Sequence, residues 1–215
     1  MRVVSISQMK ELEKQADLNG LSYYQMMENA GFGAYSFIKD KLNPESITIF
    51  CGNGNNAGDG FVVARYFAND NVLCNVVLCS QNPKTNDSIK NYELLKKMNV
   101  NIFNDFETSK SKINANVFVD AIYGTGFHGE FSDDIRKIAK FINSSQAKKI
   151  SLDIPSGINA DTSEHDIDAL NADFTLSFDS LKYAHVNEKL KEFMGEISVI
   201  DIKIPKDVHK KVLKE

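Results

Sequence analysis

Three features of the 215-residue sequence predict an α/β fold. From about residue 46 onward, short apolar runs alternate with segments whose apolar positions recur at helical spacing. The first of these runs, Ile47-Thr48-Ile49-Phe50-Cys51, passes directly into a glycine-rich turn, Gly52-Asn53-Gly54-Asn55-Asn56-Ala57-Gly58-Asp59-Gly60, and then into a helix. No apolar stretch approaches the ~20 residues needed to span a bilayer. The expected architecture is a Rossmann-like, doubly wound, mainly parallel sheet with helices on both faces. This three-layer αβα arrangement is preceded by two N-terminal helices, and residues 1–215 are expected to form one domain.

Ser7 is the expected N-cap of the first helix, with Met9, Leu12 and Ala16 on one face and a stop at Asn19-Gly20. A second helix is expected from Ser22 to about Leu42, carrying Tyr23, Met26, Met27, Ala30, Ala34, Phe37 and Ile38 at helical spacing. Ala30, Gly31, Gly33 and Ala34 make one side of it slim, a surface suited to close approach by the sheet or by a partner subunit. Strand 46–51 leads to a helix over 58–68, then a strand over 72–79. A helix near 84–98 follows, with Ile89, Tyr92, Leu95 and Met98 inward. Short strands are expected at 101–103 and 116–120. Next comes a helix marked by Ile135, Ile138, Ala139 and Ile142, then strands at 149–152, 172–178 and 196–202 and a surface helix from Pro205.

Composition narrows the function classes. The net charge is −4, and the basic residues form short clusters rather than a stripe, which argues against nucleic acid as a partner. Cys51, Cys74 and Cys79 are an odd set without a CxxC pair, so neither a disulfide framework nor a zinc site is expected. All three lie in apolar runs and read as inert buried thiols. The start lacks a signal-peptide core, and the expected compartment is the cytoplasm, with no membrane association.

In a doubly wound sheet the strand C-termini share one edge, and ligands bind in the crevice outside it. The glycine turn suits a phosphate, because a helix start offers unpaired N–H groups and partial positive charge. Two further strands end in Asp120-Ala121-Ile122-Tyr123-Gly124-Thr125-Gly126-Phe127-His128-Gly129 and in Asp153-Ile154-Pro155-Ser156-Gly157. Asp59, Asp120 and Asp153 are thus expected to border one crevice, and the amide, hydroxyl and carboxylate oxygens around them favour a hard cation. Ser156 lacks the G-x-S-x-G setting of a hydrolase nucleophile. A dehydrogenase normally places an acid about 20 residues past the glycine turn, where this chain reads Cys79-Ser80-Gln81-Asn82-Pro83.

These loops resemble the NAD(P)H-hydrate epimerase family, the stand-alone form of the YjeF N-terminal domain. The stretches that carry the resemblance are Met27-Glu28-Asn29-Ala30-Gly31, Gly52–Gly60, Val119–Gly129 and Leu152–Thr162; Ala172–Phe178 with Lys182 and Gly195–Pro205 are weaker matches. The resemblance implies an isomerase that interconverts the R and S forms of hydrated NADH and NADPH at C6 of the nicotinamide ring, as metabolite repair. It implies a potassium ion held by Asn56, Asp120 and Ser156. Substrate contacts carry over to Asn55, Asn56, Ala57, Gly58 and Asp59, to Gly124, Thr125, Gly126, Phe127, His128, Gly129 and Glu130, and to Asp153, the candidate acid/base carboxylate. The damaged dinucleotide is itself the substrate, so no redox cofactor is implied. A homodimer and a functional link to a separate NAD(P)HX dehydratase are implied as well. Ala57 stands where the family usually has glycine, and the glycine that often follows Lys182 by two residues is replaced by Ala184. The alternative reading is a non-catalytic nucleotide-binding or scaffolding protein of the same fold.

Overall fold

A computed structural model describes residues 2–214. Strand β1 (Val3–Val4) leads into helix α1 (Ile6–Leu18), followed by α2 (Tyr23–Leu42), β2 (Ser46–Cys51) and α3 (Asn55–Asn69). Strand β3 (Leu73–Leu78), α4 (Asn86–Leu95), β4 (Asn101–Phe103) and the short α5 (Phe106–Ser109) come next. The chain continues through β5 (Val117–Ala121), α6 (Asp133–Ser144), β6 (Lys148–Leu152), β7 (Phe174–Phe178) and β8 (Leu181–Lys182). It closes with α7 (Lys191–Met194), β9 (Glu196–Ile200) and α8 (Lys206–Leu213).

Seven strands form one sheet in the order β4-β3-β2-β5-β6-β7-β9, every neighbouring pair parallel. Its inner strands are apolar because both faces are covered. Ile47 and Ile49 of β2, with Val117 and Val119 of β5, face a core completed by Leu12, Ala34, Phe61 and Leu95 from the first four helices. Phe50 and Phe118 point the other way, against Ile135, Ile138, Ala139 and Ile142 of α6. The period-2 alternation therefore gives three layers, as expected. Fully burying side chains of the size of the α6 isoleucines contributes roughly 1.5–3 kcal/mol apiece.

Several boundaries differ from those the sequence predicts. Ser5, not Ser7, caps α1: its hydroxyl accepts from the Gln8 N–H at 3.1 Å while Gln8 Oε1 accepts from the Ser5 N–H at 2.9 Å. This reciprocal capping box outcompetes a lone serine two residues on. Helix α3 begins at Asn55 rather than 58, so the asparagine pair forms its first turn. Ile89 is exposed, because Ser88, Asn91 and Leu95 take the inner face of α4. The slim side of α2 is filled from within the chain. A side chain at Gly31 would collide with Val62 of α3, and one at Gly33 with Ile200 of β9. All three cysteines are buried, and burial pushes the Cys74 thiol up to about 12.

The α2–α3 contact gives a stability test. Gly31→Val should destabilise the protein by about 1–3 kcal/mol, since neither Val62 nor the Asp59 carbonyl can yield. Gly126→Ala, built into open space, should stay within about 0.5 kcal/mol in the same urea titration.

Candidate functional site

The sheet order reverses between β2 and β5: the chain winds from β2 towards β4 on one side and from β5 towards β9 on the other. The loops leaving these two strands must part, which opens a crevice at the C-terminal edge. At its floor the backbones touch. The Gly52 N–H donates to the Ala121 carbonyl at 3.0 Å, and a side chain at Gly52 would strike the Ile122 carbonyl. Asn56, in the first turn of α3, donates through Nδ2 to the Tyr123 carbonyl at 3.0 Å. No side chain caps the start of α3 at Gly54, so the N–H groups of its first turn are available to an anion.

Asp120 lies beneath this floor rather than in the crevice. Its carboxylate accepts from the Ser151 hydroxyl at 2.9 Å, from the Ser156 N–H at 2.8 Å and hydroxyl at 2.5 Å, and from the Ile122 N–H at 3.2 Å. Ser156 Oγ in turn accepts from the Tyr123 N–H at 2.9 Å. Burial pushes the Asp120 carboxyl up to about 6, against the pull of those hydrogen bonds. Its partners are all neutral. The expectation that Asp120 borders the crevice with Asp59 and Asp153 is therefore corrected: it ties β5 to the loop after β6 from behind, while Asp59 and Asp153 line the cavity. Asn56, Asp120 and Ser156 nevertheless meet at one point, around the Tyr123 backbone.

The loop after β6 turns sharply at Asp153, whose φ of +64° is left-handed, a conformation aspartate adopts more readily than most residues. Three contacts hold it. The Asp153 N–H donates to the Leu176 carbonyl at 2.8 Å. His185 Nδ1 accepts from the Lys182 N–H at 2.9 Å, which puts its proton on Nε2, and Nε2 donates to the Asp153 carbonyl at 2.8 Å. Burial and the Lys182 charge hold His185 down to about 4, so the ring is neutral. The third contact is an ion pair: Lys182 Nζ donates to Asp153 Oδ1 at 2.5 Å and to the Phe178 carbonyl at 2.9 Å. Lys182 is 1% exposed and not a solvated surface lysine.

A cavity of about 480 Å³ stands over these groups. Asn53–Asn56, Asp59, Ile122–Gly126, Asp153 and Lys182 form its sheet-edge wall, and Ile6, Met9, Lys10 and Glu13 project into it from α1. Ala57 and Gly58 face away into the core. Ala57 sits in regular helix without positive φ, so its methyl group is accommodated. Phe127, His128, Gly129 and Glu130 lie outside the lining: Phe127 packs on Tyr123 and Phe131, and His128 Nδ1 meets Asn159 Nδ2 at 2.9 Å. Glu13 was missed by sequence reasoning. Its carboxyl is pushed up to about 7, first by burial and then by the Asp153 charge. Burial pushes Asp59 well above the usual carboxylate range too. Glu13 shares a second stripe of α1 with Ile6, Met9 and Lys10, a spacing that by itself does not mark a site.

Residues 23–184 match the family described as YjeF-related protein N-terminus. The chain belongs to this family. A member from Archaeoglobus fulgidus, named bifunctional NAD(P)H-hydrate repair enzyme Nnr, is 35% identical over 205 residues, which cover 95% of this chain and 42% of that protein. The NAD(P)H-hydrate epimerase of Nitrosopumilus maritimus is 32% identical over 215 residues, covering 98% of this chain and 99% of that one. The chain thus spans about two fifths of the length of the bifunctional relatives and nearly all of the stand-alone one. The crystal structure of the yeast protein ynu0 shares the fold, with a TM-score of 0.83 at 21% identity over 99% of this chain and 93% of that chain.

The buried ion pair gives this site a test of its own. Lys182→Met should cost about 3–5 kcal/mol in urea unfolding, because Asp153 is left without its counter-charge. Adding Asp153→Asn should restore part of that loss, since the second change removes the stranded charge.

Proposed function

We propose that this protein is an NAD(P)H-hydrate epimerase, an isomerase that interconverts the R and S forms of NAD(P)HX at C6 of the nicotinamide ring, with residues 1–215 working as one domain. The observation that carries the reading is the Asp153–Lys182 ion pair facing the same cavity as the uncapped start of α3. That cavity offers a helix start suited to the phosphates of a dinucleotide and a carboxylate for its reactive ring. The names and matching lengths of the stand-alone relatives support the same activity.

C6 carries a hydroxyl next to the ring nitrogen. Protonation of that hydroxyl lets it leave as water, while the nitrogen lone pair forms an iminium cation. Water then adds to the other face of C6 and gives up a proton. Asp153 is the carboxylate placed to move these protons, and Lys182 and His185 hold it in orientation. The N–H groups at the start of α3, with Asn55 and Asn56, hold the phosphates, and Gly124, Thr125 and Gly126 close over the substrate. The dinucleotide is substrate rather than redox cofactor.

A potassium ion is part of this reading, and the donor set fits one. Asn56 Oδ1, the Tyr123 carbonyl, Ser156 Oγ and the Asp120 carboxylate offer several neutral oxygens and a single buried negative charge, which suits a monovalent hard cation. Among the described residues no three of histidine, cysteine, aspartate and glutamate gather as a metal-ligand group. A bound cation would stabilise the desolvated Asp120 charge. The reading also includes a homodimer, to which the half-exposed Phe32 ring beside Tyr66 offers an apolar face. It assigns the cytoplasm as compartment and a separate dehydratase as functional partner; that two relatives are named bifunctional is in keeping with a second activity beside this one.

Incubation with purified (R)-NADHX, followed by chromatography, should show the S epimer appearing far faster than it does spontaneously. Asp153→Asn should slow this by about 10²–10⁴-fold; tight binding with no acceleration by the unaltered protein would defeat the assignment. Replacing potassium with lithium should lower the rate and the thermal midpoint together. Equal rates and midpoints in both salts would remove the ion from the reading.

A further inference from the structure

Epimerisation moves oxygen from one face of C6 to the other. The face that loses hydroxyl needs an acid, and the face that takes up water needs a base. A single carboxylate can serve both only if the ring turns over in the cavity, and a ring anchored through phosphates at the start of α3 is poorly placed to do so.

Four carboxyl residues line the cavity, from separate elements: Asp153 after β6, Asp59 in the second turn of α3, Asp87 in the first turn of α4 and Glu13 on α1. Asp153 is committed to Lys182 and accepts also from the Phe178 N–H at 3.3 Å. The carboxyl groups of Glu13, Asp59 and Asp87 make no hydrogen bond or ion pair with any described residue; Asp59 is buried, while Glu13 and Asp87 are half-buried. Their oxygens are not among the buried unpartnered atoms, so they stand open to the cavity, where a ligand can reach them. Glu13 reaches the cavity from α1 and Asp153 from the loop after β6, so the two carboxyls enter it from different elements. The charged and titratable groups around it are Lys10 on its own helix, Tyr23 of α2, Asp59 of α3, Asp153, Asp179 and Lys182.

We propose that Glu13 is a second proton-transfer residue of the site: it protonates the hydroxyl leaving one face of C6 while Asp153 accepts the proton of the water entering the other. In the reverse direction the two exchange roles. Each turnover breaks one C–O bond and forms one. Glu13 gives up a proton and Asp153 gains one, and solvent returns both to their starting states. This deepens the epimerase reading of the same cavity and rests on it. Because Glu13 is held near 7 by burial and the Asp153 charge, it can give and take back a proton at neutral pH.

The test compares the unaltered protein with Glu13→Gln and Asp59→Asn, following both epimers of NADHX from pH 5.5 to 8.5. For the unaltered protein, kcat should fall as pH rises through about 7 and Glu13 loses its proton. Glu13→Gln, which keeps the shape and removes the acid, should lower kcat by about 10²-fold or more, with KM changed less than about threefold, and the alkaline fall should disappear. Thermal midpoints of the variants, read beside the kinetics, show whether Glu13→Gln folds; if it does not, the alkaline fall of the unaltered protein decides, its presence upholding the assignment and its absence overturning it. Activity retained in Glu13→Gln, a loss confined to KM, or an alkaline fall that persists in Glu13→Gln and vanishes in Asp59→Asn would overturn it while leaving the epimerase reading intact. An unaltered protein that only matches the spontaneous rate would overturn both.

Discussion

The site depends on the satisfaction of one buried charge. Asp120, 4% exposed, takes hydrogen bonds from Ser151, Ser156 and Ile122, and so joins the ends of β5 and β6 to the loops that follow them. Ser156 relays this hold to the Tyr123 backbone, and Tyr123 passes it to Asn56 at the start of α3. Three loops that diverge at the switch point of the sheet are thereby fixed to one another at the floor of the cavity. A buried carboxylate is costly unless its acceptors are filled, so the same chemistry that makes Asp120 tolerable also removes slack from the loops.

The parts of this arrangement legible in the sequence are those governed by local periodicity. Alternation in β2 and β5 sends Ile49 and Val119 to one face and Phe50 and Phe118 to the other, and the four apolar residues of α6 fall on a single stripe. Given the sheet, the edge rule says where Asn55, Asp153 and Gly124 must gather. Asp120 shows its limit: the rule brings a residue to the edge but does not say whether its side chain faces solvent-filled space or a neighbouring loop. One residue of register decides that, through the pleat.

Lys182 and Glu13 escaped for a different reason. The two-residue strands β1 and β8 pair in parallel, Val3 with Leu181 and Val4 with Lys182. No propensity or pattern marks a strand of two residues. Yet this pairing starts α1 over the crevice and seats Lys182 in the interior, so the wall that carries Glu13 and the counter-ion of Asp153 come from a single non-local contact. The apolar stripe Met9, Leu12 and Ala16 identifies the core face of α1. Its neighbour, Ile6 to Glu13, reads as ordinary solvated surface until the rest of the chain is folded beneath it.

The charge balance of the cavity bears on how its carboxyls and a dinucleotide can occupy one space. Asp153 and Lys182 offset each other at 2.5 Å. Burial raises Asp59 above its ordinary range and Glu13 to about 7, so near neutral pH Glu13 carries a proton about half the time. Both shifts lessen the negative charge set against the phosphates, which meet the partial positive charge at the start of α3. A phosphate brought in would favour the protonated form of Glu13 still further. Binding and proton loading are then coupled with the same sign: the ligand whose hydroxyl must be protonated is the one whose charge keeps the acid supplied with its proton.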